Sequence, residues 1–438
     1  MSINTDRPLP LALAPLDQLG MKIAFGLDGL PANRMIMCYG PPGGGKSTLL
    51  YQLSGTYDRN DDEVWIVDAE RAIDRIYLAS YFQKEGSLEY KIEAIKYFQK
   101  ISEKLFKEET KASQDERTLS EDAIKIVENR IRMLPTLVKE LKEGVETSSL
   151  GIRTAAALLR NAMAEYRIRR IKILQPGTME EFEKETAKMM EAKLADPARK
   201  HKRLLIGVDS INYLLTEDVL ERAVSSEGSN FNAARYLHTL IPKLITKLAG
   251  TETTIFFIHQ KTTTIKMNPW EQKSVIDDVA TKGGSAAKFG ATIMVGVEKR
   301  KKAKSVAEVD VDAGIIDIAK MKLRGGSKGN MKGKFYLKES LEESRMDFNE
   351  PFIMDILVEE EMGVRKYRGA YYLPERLLGG HPDYETLIRP NLKTFPKEEE
   401  KADALYFTSQ EKDLVDILIA SPAFEEECLR EYDILPAV

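Results

Sequence analysis

Gly40-Pro41-Pro42-Gly43-Gly44-Gly45-Lys46-Ser47-Thr48 follows the pattern G-x-x-x-x-G-K-[ST]. Each fixed position has a task in holding a nucleoside triphosphate. Glycines let successive backbone N–H groups close around phosphate oxygens, Lys46 brings a positive charge to the β and γ phosphates, and Ser47 offers a hydroxyl to Mg²⁺. The flanks agree. Arg34-Met35-Ile36-Met37-Cys38-Tyr39 predicts a buried strand, and Ser47-Thr48-Leu49-Leu50-Tyr51-Gln52-Leu53 opens a helix. A helix N-terminus then points at the anion.

Working outward, Glu63-Val64-Trp65-Ile66-Val67-Asp68 predicts a second buried strand, with Glu70 two residues beyond its end. Ligands of an open parallel sheet sit beyond the carboxyl ends of its strands, which brings Glu70 to the crevice of Lys46. There it can orient or deprotonate water; a surface salt bridge at a helix start fits the position equally well. Arg203-Leu204-Leu205-Ile206-Gly207-Val208-Asp209-Ser210 is an apolar strand ending in an acid, which places Asp209 near the Mg²⁺ of a phosphate-loop site. Thr254-Ile255-Phe256-Phe257-Ile258-His259-Gln260 ends in polar residues at the same edge, and Gln260 is placed to sense the γ-phosphate.

The whole chain sets bounds. Its 438 residues suffice for two or three domains, and 43% hydrophobic with 31% charged content is that of a globular protein. A net charge of −4 means that a nucleic-acid contact must come from a local basic surface. Cys38 and Cys428 form neither a disulfide framework nor a metal pattern, and Cys38 is expected to pack in the core. No stretch reaches membrane-spanning length, so the expected compartment is cytoplasmic, with no membrane partner.

Several segments depart from the strand and helix rhythm. Residues 1–21 read as an apolar, proline-containing arm, folded on its own domain or on a neighbouring subunit. Residues 84–169 read as an inserted, charge-rich helical subdomain. Ile92, Ile95, Phe98, Ile101 and Leu105 recur at helical spacing, as do Ile124, Val127, Ile131, Leu134, Val138 and Leu141, and Ser120 is placed to cap the second run. The insertion either binds a partner or elaborates the fold. Between residues 261 and 282, Lys261, Lys266, Met267, Trp270, Lys273 and Lys282 suit single-strand binding by phosphate contact and stacking. Lys320 and Lys322 alternate on one strand ahead of Gly325-Gly326. Residues 339–438 read as a small C-terminal accessory domain in which Phe395 to Lys401 forms a linker and Thr408-Ser409-Gln410-Glu411 a capping box.

With these pieces in order, the chain resembles the RecA-family strand-exchange recombinases, a bacteriophage member most closely. The resemblance is carried by Gly40 to Thr48, Val67 to Asp74 with Tyr77, Gly207-Val208-Asp209-Ser210, Ala233-Ala234-Arg235, His259-Gln260, Gly283 to Phe289, and Lys320-Met321-Lys322. It implies an α/β fold: a RecA-like P-loop ATPase core over residues 22–338 with a mainly parallel sheet. It also implies that Glu70 activates water, that Asp74 and Tyr77 flank the adenine, and that Gln260 couples the γ-phosphate to a DNA loop. Lys288, Phe289, Lys320 and Lys322 would act at a subunit boundary, the lysines reaching a neighbour's ATP. DNA loops would fall near 216–232 and 261–282, with Arg235 among the DNA contacts.

The expected activity is DNA-dependent ATP hydrolysis with Mg²⁺, in a homo-oligomeric filament on single-stranded DNA that pairs with double-stranded DNA and exchanges strands in recombination and repair. Two alternatives stand beside it: a ring-forming helicase or motor of the same core fold, and a catalytically quiet assembly protein that holds ATP as a structural ligand.

Overall fold

The computed structural model describes residues 13–16, 18–82, 85–111, 120–145, 147–218, 229–260, 290–299, 315–323, 332–337, 346–347, 353, 362–396, 404–432 and 434. They divide into two compact units, one of residues 72–172 with 340–344, the other comprising the rest of the chain.

The larger unit is built on a sheet. After β1 (Leu13–Pro15), α1 (Leu19–Phe25) and β2 (Gly29–Pro31) come β3 (Arg34–Gly40), α2 (Lys46–Arg59) and β4 (Glu63–Asp68). Further along are β5 (Lys172–Leu174), α7 (Met179–Ala195), β6 (Leu204–Asp209), α8 (Ser229–Leu248) and β7 (Thr253–Gln260). Then follow β8 (Ile293–Lys299), β9 (Ile315–Leu323), β10 (Lys332–Leu337) and β11 (Met346–Asp347). The nine strands run in the order β11-β10-β9-β8-β3-β7-β6-β4-β5. Pairs β8–β3, β3–β7, β7–β6 and β6–β4 are parallel, while β8–β9, β9–β10 and β10–β11 are antiparallel.

Parallel strands covered on both faces are apolar throughout, and β3, β4, β6 and β7 bury almost every residue. Met35, Met37, Trp65, Val67, Ile206 and Phe257 form one core with side chains from α7 and α8. Helix α2 lies close on the sheet because β6 has a glycine at the crossing: a Cβ at Gly207 would stand 2.4 Å from Leu50 Cδ1. Cys38 is buried in this core, and burial pushes its thiol up to about 12.

The N-terminal arm folds on its own domain over its described residues, β1 pairing antiparallel with β2. Toward the C-terminus, β12 (Arg365–Tyr367), β13 (Ala370–Pro374), β14 (Leu392–Thr394) and β15 (Leu405–Ser409) form an antiparallel sheet ordered β12-β13-β15-β14. It packs with α9 (Glu411–Ile419), α10 (Pro422–Glu431) and two α1 residues, Leu19 and Ile23, around one core. The expected capping box is absent. Thr408 and Ser409 are drawn into β15 by pairing with Tyr372 and Tyr371, and Gln410 starts α9 with no side-chain cap. Phe395, where the expected linker begins, has its ring 5.0 Å from that of Tyr372 and 5.8 Å from that of Tyr406, and Lys397 to Lys401 lie outside the described residues.

The second unit is helical: α3 (Arg75–Ala79), α4 (Leu88–Lys111), α5 (Glu121–Glu143) and α6 (Ile152–Arg167). Ile95, Leu134, Leu137, Leu158 and Ala162 make its core, so the periodicity at 95 and 134 marks the buried face. Ser120 caps α5 by accepting from the Ala123 N–H at 3.3 Å, and Arg75 holds Glu165 at 2.5 Å. Among the described residues no helix is long and apolar enough to cross a membrane.

Candidate nucleotide site

Four strands end side by side at one edge of the sheet. In the order β3-β7-β6-β4 they present Gly40, Gln260, Asp209 and Asp68, with Glu70 two residues past the last. Residues scattered over 220 positions of sequence are thus neighbours because parallel strands share a carboxyl edge.

The loop from Gly40 to Gly45 needs its glycines for distinct reasons. Gly40 pairs with Gln260 of β7, and a Cβ there would meet the carbonyl oxygen of Val297 in β8 at 2.2 Å. Gly43 and Gly45 have φ of +70° and +90°, the left-handed region that side chains disfavour. Gly45 is the N-cap of α2 and supplies no side-chain acceptor, so the first N–H groups of a 14-residue helix face the loop without a side-chain cap. This is a phosphate cradle in both shape and dipole. Pro41, Pro42, Gly44 and Thr48 complete the stretch, with the Gly44 N–H donating to the Pro41 carbonyl at 3.1 Å.

Lys46 is buried and its Nζ donates to the Pro41 carbonyl at 2.6 Å. Burial lowers its pKa, against the attraction of Asp209 and Glu70. The Ser47 hydroxyl hydrogen-bonds the Asp209 carboxylate. Burial lifts Asp209 to about 6; that hydrogen bond and Lys46 pull it down, while Glu70 and Asp68 push it up. A buried acid raised by neighbouring acids, with a hydroxyl beside it, is a set of hard oxygen donors short of positive charge. It fits Mg²⁺, which takes one or two protein oxygens and leaves other positions to phosphate and water.

Gln260 Nε2 donates to Glu70 Oε1 at 2.7 Å. This bond joins Glu70 to the sheet edge. Gln260 is itself held through its backbone, its N–H donating to Asn212 Oδ1 at 3.0 Å and its carbonyl lying 3.1 Å from His259 Nδ1. Behind Glu70, Gln175 Nε2 donates to Asp68 Oδ2 at 3.0 Å. Nothing in the sequence marks Gln175, and an Asn three positions after a strand-ending Asp is the one slight signal that Asn212 offers.

The other expected site residues are placed differently. Asp74 and Tyr77 belong to the helical unit, where Asp74 caps α3 by accepting from Ile76 and Tyr77 N–H groups, and Tyr81 donates its hydroxyl to Tyr77 at 2.8 Å. Lys320 and Lys322 lie on β9 opposite Val295 and Met294, with a bulge between those two partners. Arg235 falls within α8, and that helix takes in Ser229 to Asn232, so the loop expected over 216–232 stops short of Ser229. Lys261, Lys266, Met267, Trp270, Lys273, Lys282, Lys288 and Phe289 lie outside the described residues.

Residues 3–84 match the RecA N-terminal domain family. Protein RecA of Ectopseudomonas oleovorans is 37% identical over 79 residues, which is 18% of this chain and 23% of that protein, so under a quarter of the relative's length is matched. Among solved structures, a DnaB-like replicative helicase described with its interactions with primase is similar at TM-score 0.39 and 12% identity, over 72% of this chain and 58% of that one.

Proposed function

We propose that the chain is a DNA-dependent ATP hydrolase of RecA type, assembling on single-stranded DNA and promoting homologous pairing and strand exchange in recombination and repair. The Glu70–Gln260 hydrogen bond carries this reading, because it joins a candidate base to the strand that runs on into the basic segment 261–282. The RecA N-terminal match supports it, since residues 3–84 contain both the phosphate loop and Glu70.

On this reading the loop N–H groups and Lys46 hold the phosphates, while Ser47 and Asp209 hold Mg²⁺, which neutralises charge developing between the β and γ phosphates. Glu70 takes the proton of the attacking water as its oxygen bonds to the γ phosphorus and the bond to the bridging oxygen breaks. Gln260 then reports the state of the γ position to the DNA segment. Asp74 and Tyr77 flank the adenine. Lys288, Lys320 and Lys322 serve a neighbouring copy, so that hydrolysis depends on assembly. Arg235, Lys261, Lys266, Met267, Trp270, Lys273 and Lys282 contact DNA by phosphate pairing and stacking.

A strand-exchange assay on wild type and Lys46→Ala tests the proposal. Exchange that requires ATP and is lost in the variant is the expected result. Unwinding of a duplex without a homologous partner, or closed rings with ATP and single-stranded DNA by electron microscopy, would replace it with a ring motor.

A further inference from the structure

The β6–β7 ladder has its last parallel pair at Val208 and Phe257. Beyond it β6 ends at Asp209 and the chain enters a 3-10 turn, Ile211–Tyr213, while β7 continues to Gln260. On its other side Gln260 is in register with Gly40, the first residue of the phosphate loop. A strand end that outruns its neighbour leaves a backbone N–H without a ladder acceptor, and such a group needs another partner. Here the partner is a side chain: Asn212 Oδ1 accepts from the Gln260 N–H at 3.0 Å.

We infer that Asn212 is a positioning residue for hydrolysis, a latch that fixes the Gln260 backbone so that its side chain meets Glu70. The inference rests on the hydrolytic reading of Glu70 and Gln260 given above. Asn212 lies three residues after Asp209, and the Ala69 N–H donates to the Asp209 carbonyl at 2.9 Å. One turn thus ties the strand of the cation-side acid to the strand of Gln260, and the end of β6 ties in turn to the Glu70 loop. His259 adds a second restraint, as its Nδ1 lies 3.1 Å from the Gln260 carbonyl while its ring packs 5.7 Å from Tyr39. The Nδ1–H tautomer is the one that donates there. With both backbone groups held, Gln260 spends fewer conformations away from Glu70, and a productive geometry held in advance raises turnover rather than affinity.

Replacing Asn212 by Ala removes the acceptor at a half-buried position in a turn, where no core side chain is lost. Losing one hydrogen bond that holds a group at the reacting centre lowers turnover by about tenfold. The latch acts only through the Gln260 side chain, so its effect must vanish where that side chain is absent.

The test is steady-state hydrolysis of MgATP, with and without oligo(dT), by four full-length proteins: wild type, Asn212→Ala, Gln260→Ala and the double variant. The inference expects about a tenfold fall in kcat for Asn212→Ala at unchanged KM for ATP. It also expects no further fall when Asn212→Ala is added to Gln260→Ala, and a thermal midpoint lowered alike in both backgrounds by the loss of one hydrogen bond. A kcat for Asn212→Ala equal to wild type, while Gln260→Ala is impaired, overturns the latch and leaves the hydrolytic site standing. Equal falls in the wild-type and Gln260→Ala backgrounds also overturn it, since they mark a general structural loss. A Gln260→Ala protein as active as wild type overturns the hydrolytic reading and the latch with it. Should Asn212→Ala fail to fold, Asn212→Asp keeps an acceptor oxygen: turnover near wild type supports the latch, and turnover as low as that of Gln260→Ala overturns it.

Discussion

Glu70 and Gln260 are 190 residues apart in sequence, and their side chains are joined by a hydrogen bond of 2.7 Å. The contact gives a carboxylate of a strand-end loop a fixed direction, set by an amide on the strand next to the phosphate loop. A fixed carboxylate loses its use as a base when it becomes an amide, but keeps its size. Glu70→Gln should therefore lower ATP turnover by about 10²–10⁴-fold while leaving nucleotide affinity near wild type. Single-turnover hydrolysis beside equilibrium binding of a fluorescent ATP analogue checks both halves.

Gly40 and Gly207 both fill space where a Cβ would clash, but against different neighbours. At Gly40 the obstacle is the Val297 carbonyl oxygen at 2.2 Å, a backbone atom of a paired strand; at Gly207 it is the tip of Leu50 at 2.4 Å. A side-chain tip can turn away at the cost of packing, about 1–3 kcal/mol, whereas a strand must move bodily. Gly40→Ala should destabilise more than Gly207→Ala and should also abolish nucleotide binding. Urea unfolding of the two variants gives the order.

Asp209 sets a pH dependence of stability in the nucleotide-free protein. Its carboxyl titrates at about 6 in the fold against an ordinary 3.8, burial being the main cause. The native state therefore binds more protons than the unfolded chain between those values, and the slope of stability with pH is negative there. The contribution is whole below about pH 4 and is lost as pH rises through 6, a change of about 3 kcal/mol. Asp209→Asn should flatten this fall and raise the melting temperature at neutral pH. Thermal melts of both proteins between pH 4 and 8, compared as a difference, isolate the effect.

Lys22 joins α1 to the C-terminal sheet unit. Its ammonium contacts Asp28 at 2.6 Å and Glu425 at 2.5 Å, with 13% of the side chain exposed. Burial alone would lower its pKa, yet the hydrogen bonds to both carboxylates prevail and raise it. Lys22→Met should cost about 1–3 kcal/mol because it leaves two acids without their cation. Glu425→Gln should cost under about 1 kcal/mol, as that side chain is 39% exposed and solvent screens it. Denaturant midpoints for the two variants test the ranking.

The phosphate loop was legible because every requirement is local: two glycines with positive φ, a cation and a hydroxyl in one short run between a strand and a helix. Asp209 and Gln260 were legible as strand ends, since buried parallel strands announce themselves as apolar runs. What joins them was not. The order β3-β7-β6-β4 places Gln260 between the phosphate loop and Asp209, and no local pattern carries strand order. Asn212 carries almost no local signal for the same reason, its partner being the backbone of a strand 48 residues on. Thr408 and Ser409 show the converse: a local capping signal yielded to a ladder whose other strand lies some 37 residues upstream.

The bond from Lys46 to the Pro41 carbonyl uses one of the three N–H donors of the ammonium. The ammonium is not a bare charge waiting in a cleft; it already closes the loop that it belongs to. Two donors remain for a phosphate, so the loop can keep its internal clasp while it makes an external one. A loop that clasps itself also keeps its shape between ligands, so each new nucleotide meets a cradle that is already formed.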